Sequence, residues 1–169
     1  MSWDKELKDY RYYLSLEKKL SENTVQAYLH DLARISNYME HTFGITEPEK
    51  VTADQIESFL AHLYDTGVEK ATQARELSGI KSFFNYLMLN DRIETAPTEF
   101  IEAPKIGRKL PDVLSVEEIN AVIGSIDLSS RFGHRNKAML ETLYSCGLRV
   151  SELITLRISD LFFTDGFIR

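Results

Sequence analysis

The chain has 169 residues, a formal net charge of −6 and a single cysteine, Cys146. This length fits one domain or two small ones. One cysteine cannot form an internal disulfide, which argues against a disulfide-stapled secreted scaffold and favours a reducing, cytoplasmic compartment. No stretch approaches the roughly 20 apolar residues that a membrane span requires, and the charged N-terminus predicts no signal peptide.

The negative charge is unevenly distributed along the chain. Residues 1–103 carry 11 Lys and Arg against 18 Asp and Glu, whereas residues 104–169 carry 9 against 8. The second part opens on a basic cluster that consists of Lys105, Arg108 and Lys109. Because DNA binding depends on local basic surface that neutralises phosphates, the overall charge argues only weakly against a DNA partner.

The first 94 residues predict four helices. Apolar residues recur near helical spacing over residues 4–20, and an Asn23–Gln26 capping box indicates the start of a second helix. A Thr52–Gln55 capping box indicates the start of a third, and the fourth runs over about residues 71–90. The predicted core face of this fourth helix consists of Leu77, Ile80, Phe84, Leu87 and Met88.

The rest of the chain changes in character. Residues 95–111 hold three of the four prolines and no helical stripe, which predicts an extended linker. Three helices follow. The first begins at a Ser115–Glu118 capping box, the second near residue 136, and the third runs from near residue 150 to near residue 161. Asp165-Gly166 between β-prone pairs predicts a hairpin. Because the returning strand would be cut short, we expect the chain to be a piece of a longer protein.

The predicted fourth helix has a narrow polar face opposite its core face. Glycine lets a partner approach the backbone, and one arginine supplies a strong donor, so this face suits a helix lying in a DNA major groove. A merely solvated polar face is the alternative, since such faces are common. The face consists of Thr72, Arg75, Gly79, Ser82 and Tyr86.

Two other segments carry groups that could donate hydrogen bonds to phosphate. Thr24 lies at the start of the second helix, where free backbone N–H groups attract phosphate. Simple N-capping is the alternative for this residue. Lys105, Arg108 and Lys109 lie on a proline-stiffened segment that could follow a duplex backbone. A solubilising tether between domains is the alternative for these three.

The string LYSCGLRVSELITL, residues 143–156, carries the strongest candidate for phosphate chemistry. A helix ending at Gly147 places Arg149 in the turn before the next helix, where partial positive charge favours anions. A guanidinium can bind two oxygens of one phosphate, and Glu152 could steady it. A structural Arg149–Glu152 ion pair is the alternative. The apolar residues expected to pack inward and fix this turn are Leu148, Val150 and Leu153.

The longer string LYSCGLRVSELITLRISDL resembles the first catalytic-arginine motif of tyrosine recombinases, especially the C/D-type Xer recombinases that resolve chromosome dimers. Other strings match that family in order and spacing: LSENTVQAYLHDL, ARELSGIKSFFNYL and PKIGRKLPDVLSVEE. The resemblance covers residues 5–169. It departs at Ala96-Pro97, where the family has Asn-Pro near the linker.

The resemblance implies a mainly all-α fold. It comprises a four-helix, SAM-like core-binding domain at 1–94, a linker at 95–111, and the first helices of a catalytic domain with an incipient β-hairpin at 112–169. In such recombinases the two domains close around DNA, and the second and fourth helices face the major groove. DNA contacts are thereby implied at Thr24, Thr72, Arg75, Lys81, Lys105 and Lys109, and a scissile-phosphate contact at Arg149.

The resemblance also implies a reaction for the full-length parent, namely strand cleavage and rejoining through a phosphotyrosyl link. The implied partners are a duplex recombination site and other recombinase subunits in a tetramer, with no metal or other cofactor. The remaining active-site members, a hairpin lysine, a His-x-x-Arg pair, a later His or Trp and the tyrosine, would lie beyond residue 169, so this chain alone is expected to cleave no DNA. A non-catalytic DNA-binding module and a helical protein-interaction module are the alternatives.

Overall fold

A computed structural model describes residues 2–107 and 112–169 of the chain. The chain divides into two units, residues 1–108 and 109–169, each of which is described by itself. None of the described helices combines the length and the apolar character that a membrane span requires.

The first unit contains the four predicted helices. Each forms because its apolar residues recur at helical spacing and are buried in a shared core. The first helix continues into a π-helical turn, Tyr13–Glu17, and a short 3-10 turn, Pro48–Lys50, precedes the third. The helices are α1 (Trp3–Tyr12), α2 (Glu22–Phe43), α3 (Ala53–Asp65) and α4 (Lys70–Leu89).

The capping residues of this unit follow the prediction at one helix and depart from it at another. The backbone N–H of Thr52 donates to Oε1 of Gln55 at 3.0 Å, as the capping box at the start of α3 requires. The predicted Asn23–Gln26 box is wrong. Ser21 is the N-cap of α2, and its Oγ accepts from the backbone N–H of Thr24 at 3.3 Å.

Helix α4 lies at the centre of the first unit and packs against the other three helices. The predicted polar face of α4 is therefore wrong for three of its five members. Gly79 is buried against α2, where a Cβ atom would lie 3.1 Å from Cδ1 of Tyr28. Ser82 accepts from the Tyr10 hydroxyl of α1 at 2.8 Å, and the buried Tyr86 ring packs 5.2 Å from that of Tyr10. Conversely, Met88 of the predicted core face is exposed.

The beginning of the predicted linker packs with the first unit. Thr98 and Ile101 are both buried, and Ile101 belongs to the hydrophobic core of this unit. Residues 95–101 are therefore part of the first unit, while the domain boundaries at 94 and 111 stay a prediction.

The second unit contains three short helices and a hairpin. These are α5 (Val116–Gly124), α6 (Gly133–Cys146), α7 (Val150–Thr155), β1 (Leu161–Phe162) and β2 (Phe167–Ile168). The predicted hairpin is confirmed: the strands pair antiparallel, with Leu161 opposite Ile168. The helix predicted to continue to about residue 161 instead ends at Thr155. Within residues 112–169 no apolar side chain is buried.

The close approach of α4 to α2 gives a prediction for Gly79. A leucine there meets Tyr28 and Asp31, so Gly79→Leu should lower the free energy of unfolding by about 1–3 kcal/mol in chemical denaturation. The matched control is Ser78→Leu, one residue earlier on the exposed side of α4, which should stay within about 0.5 kcal/mol. Equal losses at both positions would contradict the packing described for α4.

Candidate functional site

Arg75 lies on the exposed side of α4 and is held by a buried carboxylate of α2. Its Nη1 donates to Oδ2 of Asp31, a side chain that is only 1% exposed, while the Arg75 side chain is 49% exposed. A second pair crosses the same interface in the opposite sense. Arg34 of α2, 39% exposed, donates from Nη1 to Oε1 of the buried Glu76 of α4 at 2.7 Å. The two helices thus present two anchored guanidinium groups.

The two buried acids share a poorly solvated environment. Burial raises the pKa of Glu76 above its ordinary value; the Arg34 guanidinium opposes that shift and the Asp31 carboxylate adds to it. One oxygen of each acid, Oδ1 of Asp31 and Oε2 of Glu76, has no hydrogen-bond partner among the described residues. His30, which is largely exposed, lies 3.8 Å from Asp31 Oδ1. Burying carboxylates in this way costs stability.

The other predicted DNA-contacting residues of the first unit lie at or near the surface. Thr24 is exposed, but its backbone N–H and hydroxyl both bond Ser21 Oγ, so capping already uses the N–H group that was expected to be free for phosphate. Thr72 and Lys81 are half-buried on α4, and Lys105 is exposed on a segment outside the helices and strands. The predicted contacts Arg108 and Lys109 lie outside the described residues.

Arg149 lies at the N-cap position of α7, as the glycine before it predicts. Gly147 has a left-handed backbone, φ 62°, which ends α6 and turns the chain at this point. The Arg149 side chain is 83% exposed, and its Nη1 donates to Oε1 of Glu152 at 2.9 Å. The other oxygen of Glu152 accepts from the Arg149 backbone N–H at 2.7 Å.

Two hydrogen bonds from one residue therefore hold the Glu152 carboxylate in its charged form. The backbone N–H of Arg149, and then its guanidinium, lower the pKa of Glu152 below its ordinary value. The turn is less enclosed than the sequence predicts. Leu148 and Leu153 are half-buried, but Val150 is 67% exposed.

Sequence reasoning missed Asp31, Arg34 and Glu76. The signal was available in the helical spacing. Asp31 lies four residues before the buried Ile35, and Glu76 lies four residues before the buried Ile80, so each acid occupies a core-facing position. A carboxylate at such a position requires a cation from a neighbouring helix. Which arginine of which helix supplies it depends on helix packing, which the spacing does not give.

Two family models match the chain. The model described as "Phage integrase, N-terminal SAM-like domain" matches residues 7–91, and the model described as "Phage integrase family" matches residues 112–169.

Curated proteins with similar sequences include tyrosine recombinases. "Tyrosine recombinase XerD" of Oceanobacillus iheyensis is 39% identical over 163 residues, which cover 96% of this chain and 54% of that protein. The XerD of Listeria monocytogenes serotype 4b is 36% identical, with 96% and 55% covered. The chain therefore spans about half the length of the curated relatives it matches.

Solved integrase structures share the fold. A lambda integrase dimer bound to a COC′ core site superposes with a TM-score of 0.76 at 19% identity, over 96% of this chain and 54% of that one. The integrase of transposon Tn1549 in complex with circular intermediate DNA gives 0.64 at 18% identity, over 96% and 52%.

The raised pKa of Glu76 gives a prediction for the pH dependence of stability. A carboxyl whose pKa is raised by folding contributes stability that is present below its unfolded pKa and is lost as the pH rises through its folded pKa. As the pH rises above the ordinary pKa of a glutamate, wild type should therefore lose stability relative to Glu76→Gln, which has no charge to titrate. Urea denaturation at each pH measures the difference. A difference that stays constant, or that favours wild type as the pH rises, would contradict the burial effect.

Proposed function

Because this chain belongs to the phage integrase family of tyrosine recombinases, we propose that it is the DNA-gripping part of a site-specific recombinase. The first unit corresponds to the core-binding domain and the second to the start of the catalytic domain. The observation that carries the proposal is the Arg75 guanidinium, which reaches the surface of α4 while one of its nitrogens is anchored to Asp31.

Arg75 can make the contact that reads DNA sequence. A guanidinium presents a planar fork that matches the two acceptors on the major-groove edge of guanine. Anchoring Nη1 leaves Nη2 and Nε for a base or a phosphate. It also restricts the side chain before binding, so less conformational freedom is lost when DNA binds. Thr72 and Lys81, on the same helix, and Lys105 are suited to phosphate contacts, which position a duplex without reading it.

The proposed partners are a duplex recombination site and further recombinase subunits. Their support comes from the solved relatives, which are described as a lambda integrase dimer bound to a core site and a lambda integrase tetramer bound to a Holliday junction. The Xer resemblance supports chromosome-dimer resolution as the role of the parent protein.

We assign to Arg149 the contact with the scissile phosphate. Negative charge accumulates on the phosphate oxygens as phosphorus becomes pentavalent, and a positioned guanidinium stabilises that charge. Glu152 holds the Arg149 side chain at one nitrogen, and the high exposure of this side chain leaves the rest of the fork open to a ligand. The attacking tyrosine and the other active-site residues would come from the further length that the relatives possess. A phosphotyrosyl link conserves the energy of the broken bond, so no nucleotide is required.

Duplex binding tests the DNA-binding part of the proposal. The wild-type chain should enrich particular sequences from a randomised duplex pool, with an affinity that falls as salt rises. Arg75→Lys keeps the charge beside Asp31 but removes the fork, so it should lose about 1–3 kcal/mol of binding free energy on the selected duplex and much less on a shuffled one. The matched control is Arg92→Lys, the same substitution at an arginine that also pairs with a buried acid, Glu6. Equal losses on both duplexes would reduce Arg75 to a phosphate contact.

Arg149 is tested in a full-length recombinase that contains this chain. Arg149→Ala should slow strand cleavage about a hundredfold or more while leaving the melting temperature and most of the duplex affinity unchanged, because the side chain is exposed. Arg149→Lys should restore little activity, since an ammonium is a point charge without the fork. Cleavage of a suicide substrate gives the rates. A large loss of thermal stability in Arg149→Ala would instead make the residue a structural partner of Glu152.

A further inference from the structure

The interface between α2 and α4 contains two crossed ion pairs. Asp31 and Arg34 lie three residues apart on α2, and Arg75 and Glu76 are neighbours on α4. Each acid is buried and each base is partly exposed. The two pairs therefore share one small patch of the first unit, with the negative charges inside and the positive charges at its surface.

Stability alone does not explain this arrangement. Both acids are almost fully buried, and each keeps one oxygen without a hydrogen bond among the described residues. Well-packed apolar side chains of similar size usually stabilise an interface as well as a buried ion pair does, or better. What the acids provide, and what apolar residues could not, is a fixed location for two guanidinium groups.

Both guanidinium groups have capacity left for a ligand. Arg34 and Arg75 each use Nη1 for the carboxylate, and their remaining N–H groups have no protein partner in the part of the chain that the structure describes. Ordering a long side chain before binding lowers the entropy cost of the complex. Two such groups on one patch can contact neighbouring acceptors of the same duplex.

Resting on the DNA-binding role given to Arg75 above, we propose that Arg34 is a second DNA-contacting residue and that Asp31 and Glu76 are positioning residues for this pair. Asp31 acts through Arg75, and Glu76 acts through Arg34. The acids do not touch DNA. They set the direction of two guanidinium groups whose charges would otherwise attract any duplex equally.

Charge and positioning predict opposite effects when Asp31 is neutralised. Asp31→Asn makes the chain more positive by one charge, and this change alone would tighten binding to any duplex. If Asp31 positions Arg75, the same variant should bind the selected duplex about tenfold more weakly while its affinity for the shuffled duplex stays equal or rises. The matched control is Asp54→Asn, an identical substitution at an exposed position of α3, which should shift both duplexes alike.

A double-mutant cycle separates positioning from a general structural role. Asp31→Asn should weaken selected-duplex binding in the wild-type background and have no further effect in Arg75→Ala, because the residue through which it acts is gone. Glu76→Gln and Arg34→Ala form the second cycle, which carries the test if Asp31→Asn does not fold by circular dichroism. Arg34→Ala should also reduce the slope of log affinity against log salt by about one if Arg34 contacts a phosphate.

The outcomes distinguish this inference from the proposed function. The positioning role is supported if Asp31→Asn lowers the affinity for the selected duplex in the wild-type background but not in the Arg75→Ala background. Additive losses, or tighter binding to both duplexes, overturn it while leaving duplex binding by the chain intact. If the wild-type chain shows no salt-dependent duplex binding, the proposed function fails and the inference fails with it.

Discussion

Helix α4 packs against three other helices, and this constraint decides which of its side chains can meet a partner. Gly79 permits the approach of α2, and the Tyr10 hydroxyl binds Ser82 from α1. The side of α4 that remains at the surface is narrow and carries Arg75 near its N-terminal end. Substitutions on this exposed side can change what the helix binds, while the closely packed sides preserve the fold. The buried acids Asp31 and Glu76 also affect this surface, because they hold the guanidinium groups of Arg75 and Arg34.

The two units differ in how far they bury their apolar residues. The first unit has a continuous core from Trp3 to Ile101, whereas residues 112–169 bury no apolar side chain and leave Ile158 and Phe163 almost fully exposed. Exposed apolar surface on this scale is typical of a region that packs against further protein. Arg149 belongs to this second unit, and its direction depends on a local turn and on Glu152 rather than on a surrounding core. The geometry at Arg149 is accordingly set by short-range bonds.

Local patterns in the sequence predicted most elements of the fold but few of the contacts between them. Capping residues at Thr52 and Ser115 and the left-handed Gly147 end or begin helices as expected, because these signals act over a few residues. The helical wheel failed on Gly79, which was expected to be exposed, because a wheel assumes one buried side and α4 has several. The crossed pairs were out of reach for a related reason: residues 31 and 75 meet only through the packing of two helices. Similarity to a family pointed to Arg75 and Arg149, but it did not reveal the acids that hold Arg75.

We propose that duplex DNA binds the surface of α2 and α4 around Arg75. Nuclear magnetic resonance of the arginine Nε–Hε groups, during titration with the selected duplex, shows whether it does. The signals of Arg75 and Arg34 should shift and broaden, while that of Arg92, which pairs with Glu6 at the other end of α4, should stay in place. Unchanged Arg75 and Arg34 signals in a saturated complex would show that the duplex does not bind this surface.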